Sequence, residues 1–402
     1  MKHLPVSPLT RPHRLIPLLA GLQAFSPLAM DMYLPALPRI AEELATSEAR
    51  VQLSITSYLV GLFLGMLLFG PLSDKYGRRT LMLGGIIVFI ISSLACAMAD
   101  SVDTLVSWRV VQALGGGAAS VLARAVVRDI FPLKEAARAL SSMHLITMVA
   151  TLAAPMLGSF VLLAGSWRWL FFLLIAFASI WLLLITWKIP ETHYGKSRNS
   201  SVLKVYQAYG AIGSQPRAVG YILCMSLCYG GMFAYITASP FVFMDYYGLS
   251  PTYYALIFGC NTAGIILLVS LNVRLVARLG PQKMLYGAGV LLAASSVVLL
   301  LASTLNNVGI WLLILALFGY ISCTGLMGAN CTASLMIQFP DNAGAAAGLA
   351  VAVQFGLGAV MSLVVGMLYE GTPFAMTLVV GLCGLGSIAA LSLTRRKTPA
   401  NN

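Results

Sequence analysis

The amino-acid sequence predicts an all-α membrane protein with twelve transmembrane helices, arranged as two six-helix halves. The chain is 59% hydrophobic and only 9% charged, with a mean hydropathy of +0.87. Apolar runs of about 20 residues, long enough to cross about 30 Å of hydrocarbon, recur along its whole length. The runs are continuous and do not alternate, which favours helices over a β-barrel.

The formal net charge of +12 raises the alternative of a nucleic-acid-binding protein. A soluble domain carries about 25% charged residues, which it needs to coat its apolar core. So few charged residues leave no hydrophilic face on which a basic patch could form. The composition therefore excludes a soluble domain, and no nucleic-acid partner is expected.

Each apolar run is predicted to form one membrane-spanning helix. The first run is too long for a cleaved signal peptide, contains Asp31, and lacks a small-residue cleavage pattern. The predicted spans are 15–38, 50–72, 79–99, 104–127, 140–165, 168–189, 218–243, 252–274, 282–304, 309–333, 343–369 and 373–394.

The basic residues predict the orientation of these spans. Twenty of the 25 lie in the two tails and in the connections that follow an even-numbered span, together with five acidic residues. The opposite side carries three basic and seven acidic residues. Because Lys and Arg accumulate in cytoplasmic loops, both termini are predicted to be cytoplasmic.

The longest connection divides the chain into equal sets of spans, as in secondary transporters built from repeats. A weak internal echo supports a repeat: Gly77 opens the third span, and Gly280 opens the ninth, 203 residues later. The predicted divisions are a cytoplasmic tail at 1–14, a first helical bundle at 15–189, a cytoplasmic linker at 190–217, a second bundle at 218–394 and a tail at 395–402.

No metal, cofactor or catalytic centre is predicted. The seven cysteines all lie in predicted spans and are too scattered for a disulfide framework or a zinc site. An intramembrane enzyme would need a catalytic or metal-binding cluster inside the spans, but they hold one acidic residue and no deep histidine. A Walker motif is also absent, so neither an enzyme nor an ATP-driven pump is expected.

The connection between spans two and three carries the first chemical motif. Asp74 can form ion pairs with Arg78 and Arg79, and Gly77 permits a positive φ. The stretch from Gly70 to Arg79 resembles the signature loop of the major facilitator superfamily. The resemblance implies that the loop, with Asp129, locks the halves together on the cytoplasmic side in the outward-facing state. Ala277 replaces the equivalent aspartate in the second half, so this lock would be one-sided.

Spans four and five carry further elements of this kind. Arg109 and Gln112 begin a stretch that resembles an RxxQGxG element of the superfamily, although Ala113 replaces a glycine. The same stretch lacks the Lys-Ser/Thr ending of a phosphate-binding loop. In span five, Pro155 and Gly158 belong to a segment that resembles the GPxxGG element of drug/proton antiporters. Small residues and proline would also suit a bent helix in close contact with a neighbour.

The segment from Asp31 to Pro38, DMYLPALP, resembles the Bcr/CflA family of drug/proton antiporters. Arg128-Asp129-Ile130, Ser166-Trp167-Arg168 and Pro190-Glu191-Thr192 also fit that family. The resemblance implies efflux of amphipathic drugs or antibiotics by alternating access, driven by the proton gradient without a cofactor. We expect a monomer in the bilayer of a bacterial inner membrane. The alternative is a carrier of the same superfamily for one endogenous metabolite.

Depth in the membrane indicates a proton site. At a helical rise of about 1.5 Å per residue, Asp31 lies about 12 Å and Arg109 about 9 Å below the non-cytoplasmic surface of the membrane. Desolvation disfavours an ionised carboxylate, whereas a nearby arginine favours it. We therefore predict that Asp31 is the coupling acid and that Arg109 tunes it. The alternative is a static ion pair that joins two helices.

The remaining candidates would line a substrate pocket. Arg124 lies deep in span four, where it either faces a water-filled cavity or extends to the membrane surface. In a cavity it would favour neutral or anionic substrates over cations. An adaptable pocket uses methionine and aromatic surfaces with few fixed polar groups. The other candidates are Tyr58, Gln112, Met148, Tyr229, Phe233, Asn261 and Gln354.

Overall fold

A computed structural model describes residues 15–192, 202–305 and 309–395. Helices joined by short turns make up this part of the chain. The α-helices are α1 (Ile16–Asp31), α2 (Leu37–Glu43), α3 (Glu48–Tyr76), α4 (Arg78–Ala97), α5 (Val102–Ile130), α6 (Leu133–Ala164), α7 (Arg168–Lys188), α8 (Val202–Gly213), α9 (Pro216–Pro240), α10 (Pro251–Leu279), α11 (Pro281–Ser303), α12 (Ile310–Gln338), α13 (Ala343–Met367) and α14 (Phe374–Leu391).

The helical membrane fold is confirmed. Within the described residues, eleven helices are long and apolar enough to cross a membrane. The first predicted run differs, because α1 ends at Asp31 and the chain continues through a 3-10 turn at Leu34–Ala36 into α2. Pro35 and Pro38 have no backbone N–H to donate, which explains why one regular helix does not continue there. The predicted tail 1–14 and the linker residues 193–201 lie outside the described residues.

The linker contains a helix that the sequence did not predict. Helix α8 packs against α3 and α13, and the Tyr206 hydroxyl donates to the Leu67 carbonyl at 3.4 Å. Burial, together with the neighbouring Tyr206 and Asp74, raises the pKa of the Tyr209 phenol. Helix α8 therefore lies beside the loop that contains Asp74.

The spanning helices pack into two groups joined along a seam. In the N-terminal half, α5 packs against α1, α3 and α4, while α6 packs against α1. In the C-terminal half, α9 packs against α12, α13 and α14. The main contacts between the halves are α3 with α13 and α6 with α10. The seam therefore has two packed flanks.

The two faces of the bundle differ in charge. We call the face with the loop at Gly77 the basic face and the face with Glu42, Glu48 and Asp245 the acidic face. Near the acidic face, the Ser159 hydroxyl of α6 donates to the Pro251 carbonyl of α10 at 3.0 Å. The two halves are therefore in contact at this end of the seam.

The correspondence between Gly77 and Gly280 is also seen in their backbone conformation. Gly77 follows α3 with φ +94°, and Gly280 follows α10 with φ +79°. Both glycines begin the next helix at once, and side-chain-bearing residues rarely adopt such a φ. The same turn thus reverses the chain at equivalent places in the two halves.

Candidate functional site

Asp31 lies at the seam between the halves, at the last position of α1. Only 5% of the residue is exposed, and within the described residues it has no hydrogen-bond or ion-pair partner. Its charge acts on Tyr58 of the N-terminal half and on Tyr235 and Tyr254 of the C-terminal half. The carboxyl group thus lies near phenol groups from both halves.

Gly158 supports the backbone next to Asp31. A Cβ atom at this glycine would collide with the Met32 carbonyl oxygen and lie 3.0 Å from its carbonyl carbon. Pro155, one turn earlier in α6, has a carbonyl that accepts a hydrogen bond from Ser159 at 2.9 Å. The antiporter-like element therefore holds the end of α1 through close backbone contact, which only glycine allows.

Arg109 is fully buried within the N-terminal half, between aromatic rings. Its guanidinium carbon lies 4.4 Å from the Tyr33 ring centre and 4.3 Å from the Tyr58 ring centre. Its Nη1 donates to the Ala29 carbonyl at 3.1 Å and to Gln112 Oε1 at 2.6 Å. A desolvated arrangement of this kind stabilises a cation by about 2 kcal/mol or more.

The alternative of a static Asp31–Arg109 ion pair is not seen among the described residues. Arg109 Nε and Nη2 are buried without a partner, and no carboxylate lies within ion-pair distance of the guanidinium. Tyr33, which covers the guanidinium, was missed as a site residue although it belongs to the DMYLPALP segment. Its hydroxyl is in turn hydrogen-bonded to Ser54 Oγ at 2.9 Å.

The pocket candidates of the N-terminal half divide between two places. Tyr58 and Gln112 belong to the surroundings of Arg109, and Gln112 also donates to Ser93 Oγ at 2.8 Å. Met148 and Arg124 are partly exposed on α6 and α5. The structure therefore does not bring all four side chains together.

The candidates of the C-terminal half lie on three helices. Tyr229 and Phe233 have ring centres 6.5 Å apart, and Phe233 is 5.5 Å from Phe355 of α13. Asn261 of α10 donates to the Tyr235 hydroxyl at 2.9 Å, which connects it to the surroundings of Asp31. Gln354 is buried on α13, one residue before Phe355. An aromatic cluster and two polar side chains thus lie on this side of the seam.

The loop from Gly70 to Arg79 is held by ion pairs. Arg78 Nη2 lies 2.7 Å from Asp74 Oδ1, and Arg78 Nε lies 3.1 Å from Asp129 Oδ2. The same guanidinium donates to Ser73, whose hydroxyl donates to the Gly70 carbonyl at 2.7 Å. Arg78 therefore connects the end of α3 with the end of α5.

Glu191 completes this arrangement from the far end of the half. Its carboxylate accepts the backbone N–H groups of Arg78 at 2.8 Å and Arg79 at 3.1 Å, at the start of α4. A carboxylate at a helix N-terminus satisfies free donors and complements the helix dipole. A Cβ at Gly77 would lie 2.7 Å from Glu191 Oε2, so glycine also makes room for this cap. These contacts all lie within the N-terminal half, whereas the resemblance implied contacts between halves in the outward-facing state.

Five cysteines come together in the C-terminal half, although their spacing gave no sign of it. The Cys224 thiol is hydrogen-bonded to Ser387 Oγ at 3.5 Å, and Cys228, Cys323, Cys331 and Cys383 lie nearby. All five are buried and reduced. No three His, Cys, Asp or Glu residues are arranged to hold a metal ion within residues 15–192, 202–305 and 309–395.

The sequence matches the Major Facilitator Superfamily over residues 19–363. The chain belongs to the major facilitator superfamily. It is therefore a multi-pass membrane protein and a secondary transporter of small molecules, not an enzyme. The predicted membership of the major facilitator superfamily is confirmed.

Bacterial relatives align over nearly the whole chain. An uncharacterized MFS-type transporter, YdgK, of Bacillus subtilis is 34% identical over 96% of both chains. A bicyclomycin resistance protein homolog of Haemophilus influenzae is 30% identical over 92% of this chain and 93% of its own. A chloramphenicol resistance protein of Pseudomonas aeruginosa is 28% identical over 94% and 91%, respectively.

Solved structures share the fold at low sequence identity. The inward-open xylose transporter XylE from E. coli superimposes with a TM-score of 0.75 at 17% identity, over 97% of this chain and 98% of its own. The nucleoside transporter NupG gives a TM-score of 0.74 at 12% identity, over 96% and 100%. The major facilitator fold is thereby confirmed.

Proposed function

We propose that this transporter exports amphipathic drugs or antibiotics in exchange for protons, and that Asp31 carries the proton. The observation that carries this proposal is a buried carboxyl group without a partner at the seam of the two halves. An ionised carboxylate in such a position costs about 2.5–3.5 kcal/mol on insertion scales. The arrangement seen here therefore suits a proton-loaded Asp31.

Two further observations support drug export from a bacterial cytoplasm. Two relatives are a bicyclomycin resistance protein homolog of Haemophilus influenzae and a chloramphenicol resistance protein of Pseudomonas aeruginosa. The basic face carries the excess of Lys and Arg, which assigns it to the cytoplasm by the positive-inside rule. In this proposal the protein lies in the inner membrane and releases its substrate at the acidic face.

In this proposal proton transfer is coupled to the conformational change because Asp31 lies at the seam, which must open during transport. When the halves separate at the acidic face, water reaches the carboxyl group and lowers the cost of its charge. The unused Nη2 of Arg109 belongs to the same half and favours the ionised form when the carboxylate approaches it. Arg109 thus tunes the affinity of Asp31 for the proton, and its aromatic surroundings hold it in place meanwhile.

The substrate pocket in this proposal lies along the seam. Tyr229 and Phe233 supply an aromatic wall, Met148 supplies a flexible apolar surface, and Asn261 and Gln354 supply polar groups. A pocket with such a composition can accommodate molecules of different shape. The network around Arg78 has a different task, since it fixes α3, α4 and α5 to one another so that the N-terminal half moves as one body.

The test compares the wild type with Asp31→Asn in an efflux-deficient bacterial host. Asp31→Asn is expected to abolish drug resistance, and also drug uptake into inverted membrane vesicles driven by a pH gradient, while the protein still inserts. Asp100→Asn, an exposed aspartate near the acidic face, makes the same chemical change and is expected to behave as the wild type. Drug transport by Asp31→Asn that still follows the pH gradient would refute the assignment.

A further inference from the structure

Three cationic or titratable side chains gather on the basic-face side of the N-terminal half. Arg124 and Arg128 lie one turn apart on α5, and His144 lies on the adjacent α6. The Arg128 charge acts on Arg124, and the Arg124 charge acts on His144. We call these three residues the basic cluster, and neither the lock nor the proton site uses it.

Arg124 does not extend to the membrane surface. Helix α5 begins at the acidic face, and Arg124 Nε donates to the carbonyl of Ser120, one turn nearer that face, at 3.3 Å. Its Nη2 reaches Met66 Sδ of α3 at 3.5 Å. The guanidinium therefore points back towards the membrane interior, as helical side chains tend to point to the helix N-terminus. This geometry favours the cavity-facing alternative for Arg124.

The basic cluster has no balancing negative charge of its own. Within the described residues, no carboxylate lies within ion-pair distance of Arg124 or Arg128. The acidic groups whose charges act on Arg128 are Asp74 and Asp129, and both are already paired with Arg78. Ion-forming side chains inside a membrane are normally paired or line a functional path.

The basic cluster reaches the seam between the halves through Arg128. A Cβ at Gly344 of α13 would lie 3.2 Å from Arg128 Nη1, so Arg128 reaches the opposite half. Deeper in the membrane, Phe63 packs on Gly356 along one flank and Leu152 packs on Gly259 along the other. The basic cluster thus lies between the basic face and the deeper contacts of the two halves.

The wall across the seam has the opposite character. Helix α13 contains no charged residue between Ala343 and Met367, and begins with the small residues AGAAAGLA. Tyr229, Phe233 and Phe355 follow deeper along the same side. A molecule in the seam therefore meets cationic groups on one side and apolar or aromatic groups on the other.

We infer that the basic cluster binds the anionic or oxygen-rich group of an amphipathic substrate, and that Arg124 is its main contact. The guanidinium fork matches the geometry of carboxylate, sulfonate or phosphate oxygens. Cationic amphiphiles are correspondingly disfavoured by like-charge repulsion. This inference rests on the proposed export function, because it specifies the substrate class of the same seam.

The test measures binding to the purified protein in nanodiscs by equilibrium dialysis, with empty nanodiscs correcting for lipid partitioning. The probes are 8-anilinonaphthalene-1-sulfonate and N-phenyl-1-naphthylamine, which share a skeleton and differ in the sulfonate. Tetraphenylphosphonium serves as the cation. The wild type should bind the sulfonate at least about tenfold more tightly than the neutral probe, as a charge-assisted hydrogen bond would give.

Variants assign this preference to a residue. Arg124→Gln should abolish it without lowering the unfolding temperature, whereas Arg124→Lys should retain part of it. Arg274→Gln removes a positive charge from an exposed position of α10 and should leave the preference unchanged. Equal binding of the two naphthyl probes by the wild type, a preference for the cation, or an unchanged preference in Arg124→Gln would overturn the inference. A lower unfolding temperature of Arg124→Gln would overturn it as well. The assay uses no gradient, so its outcome is independent of the Asp31 test.

Discussion

Gln52 offers a direct test of how the acidic face closes. It lies on α3 with 1% of its surface exposed, and both its amide nitrogen and its amide oxygen lack a partner within the described residues. The amide lies over Gly366 of α13, where a Cβ would be 3.2 Å from Gln52 Oε1. Closing the acidic face therefore removes this amide from water without supplying a hydrogen bond.

The expected effect of Gln52→Leu follows from the free-energy cost of burying the Gln52 amide without a hydrogen-bond partner. A buried polar group without a partner costs about 1–3 kcal/mol, whereas leucine has a similar volume and no such penalty. The substitution should therefore favour the closed acidic face by about 1–3 kcal/mol, which corresponds to roughly 5- to 150-fold in population at 1.36 kcal/mol per tenfold. Export should slow, because the open state becomes rarer.

The assay uses a reporter cysteine at Ser362, a buried residue of α13 whose hydroxyl is hydrogen-bonded to Thr56 across the seam at 2.7 Å. The exposed Cys260 is first replaced by serine. A membrane-impermeant maleimide added at the acidic face should label the reporter at least about fivefold more slowly in Gln52→Leu, following the population estimate. Gln338→Leu, the same change near the basic face, should not alter the rate. An equal or faster rate in Gln52→Leu would refute the reasoning.

Two other substitutions test the surroundings of Asp31. Gly158→Ala forces a Cβ against the Met32 carbonyl and should lower the free energy of unfolding by about 1–3 kcal/mol, together with drug export. Gly84→Ala, which lies inside α4 with open space around it, should lower neither quantity in thermal unfolding and susceptibility assays, because alanine favours a helix over glycine. Arg109→Lys keeps the charge but loses the planar contact with Tyr33 and Tyr58, and should reduce drug export at least about tenfold if that contact is worth about 2 kcal/mol. Wild-type resistance in Arg109→Lys would show that the charge alone suffices.

Features encoded by contiguous residues could be predicted from the sequence. The apolar runs, the turn at Gly77 and the echo at Gly280 depend on neighbouring residues, so each was visible before the fold was known. The break of the first run at Asp31 was missed, although Pro35 and Pro38 stood in the DMYLPALP segment. Hydropathy alone does not register the loss of a backbone donor.

Features that depend on helix packing could not be predicted. Glu191 caps Arg79 and Arg78, which precede it by 112 and 113 positions in the sequence. Nothing in the local sequence indicates that these residues meet. The rings around Arg109 come from α3 and from the turn after α1, while the cysteine cluster combines three helices. The direction of Arg124 also needed the structure, because depth alone allowed both a cavity and a surface position.

The unbalanced charge of the basic cluster has a consequence for the energetics of transport. If the substrate leaves as an anion while one proton enters, each cycle moves two positive charge equivalents inwards. The membrane potential supplies about 2.3 kcal/mol per charge per 100 mV, hence about 4.6 kcal/mol for such a cycle. A cation exchanged for one proton would move no net charge. Export of anionic amphiphiles would therefore be electrogenic, and voltage alone could drive it when the two compartments have the same pH.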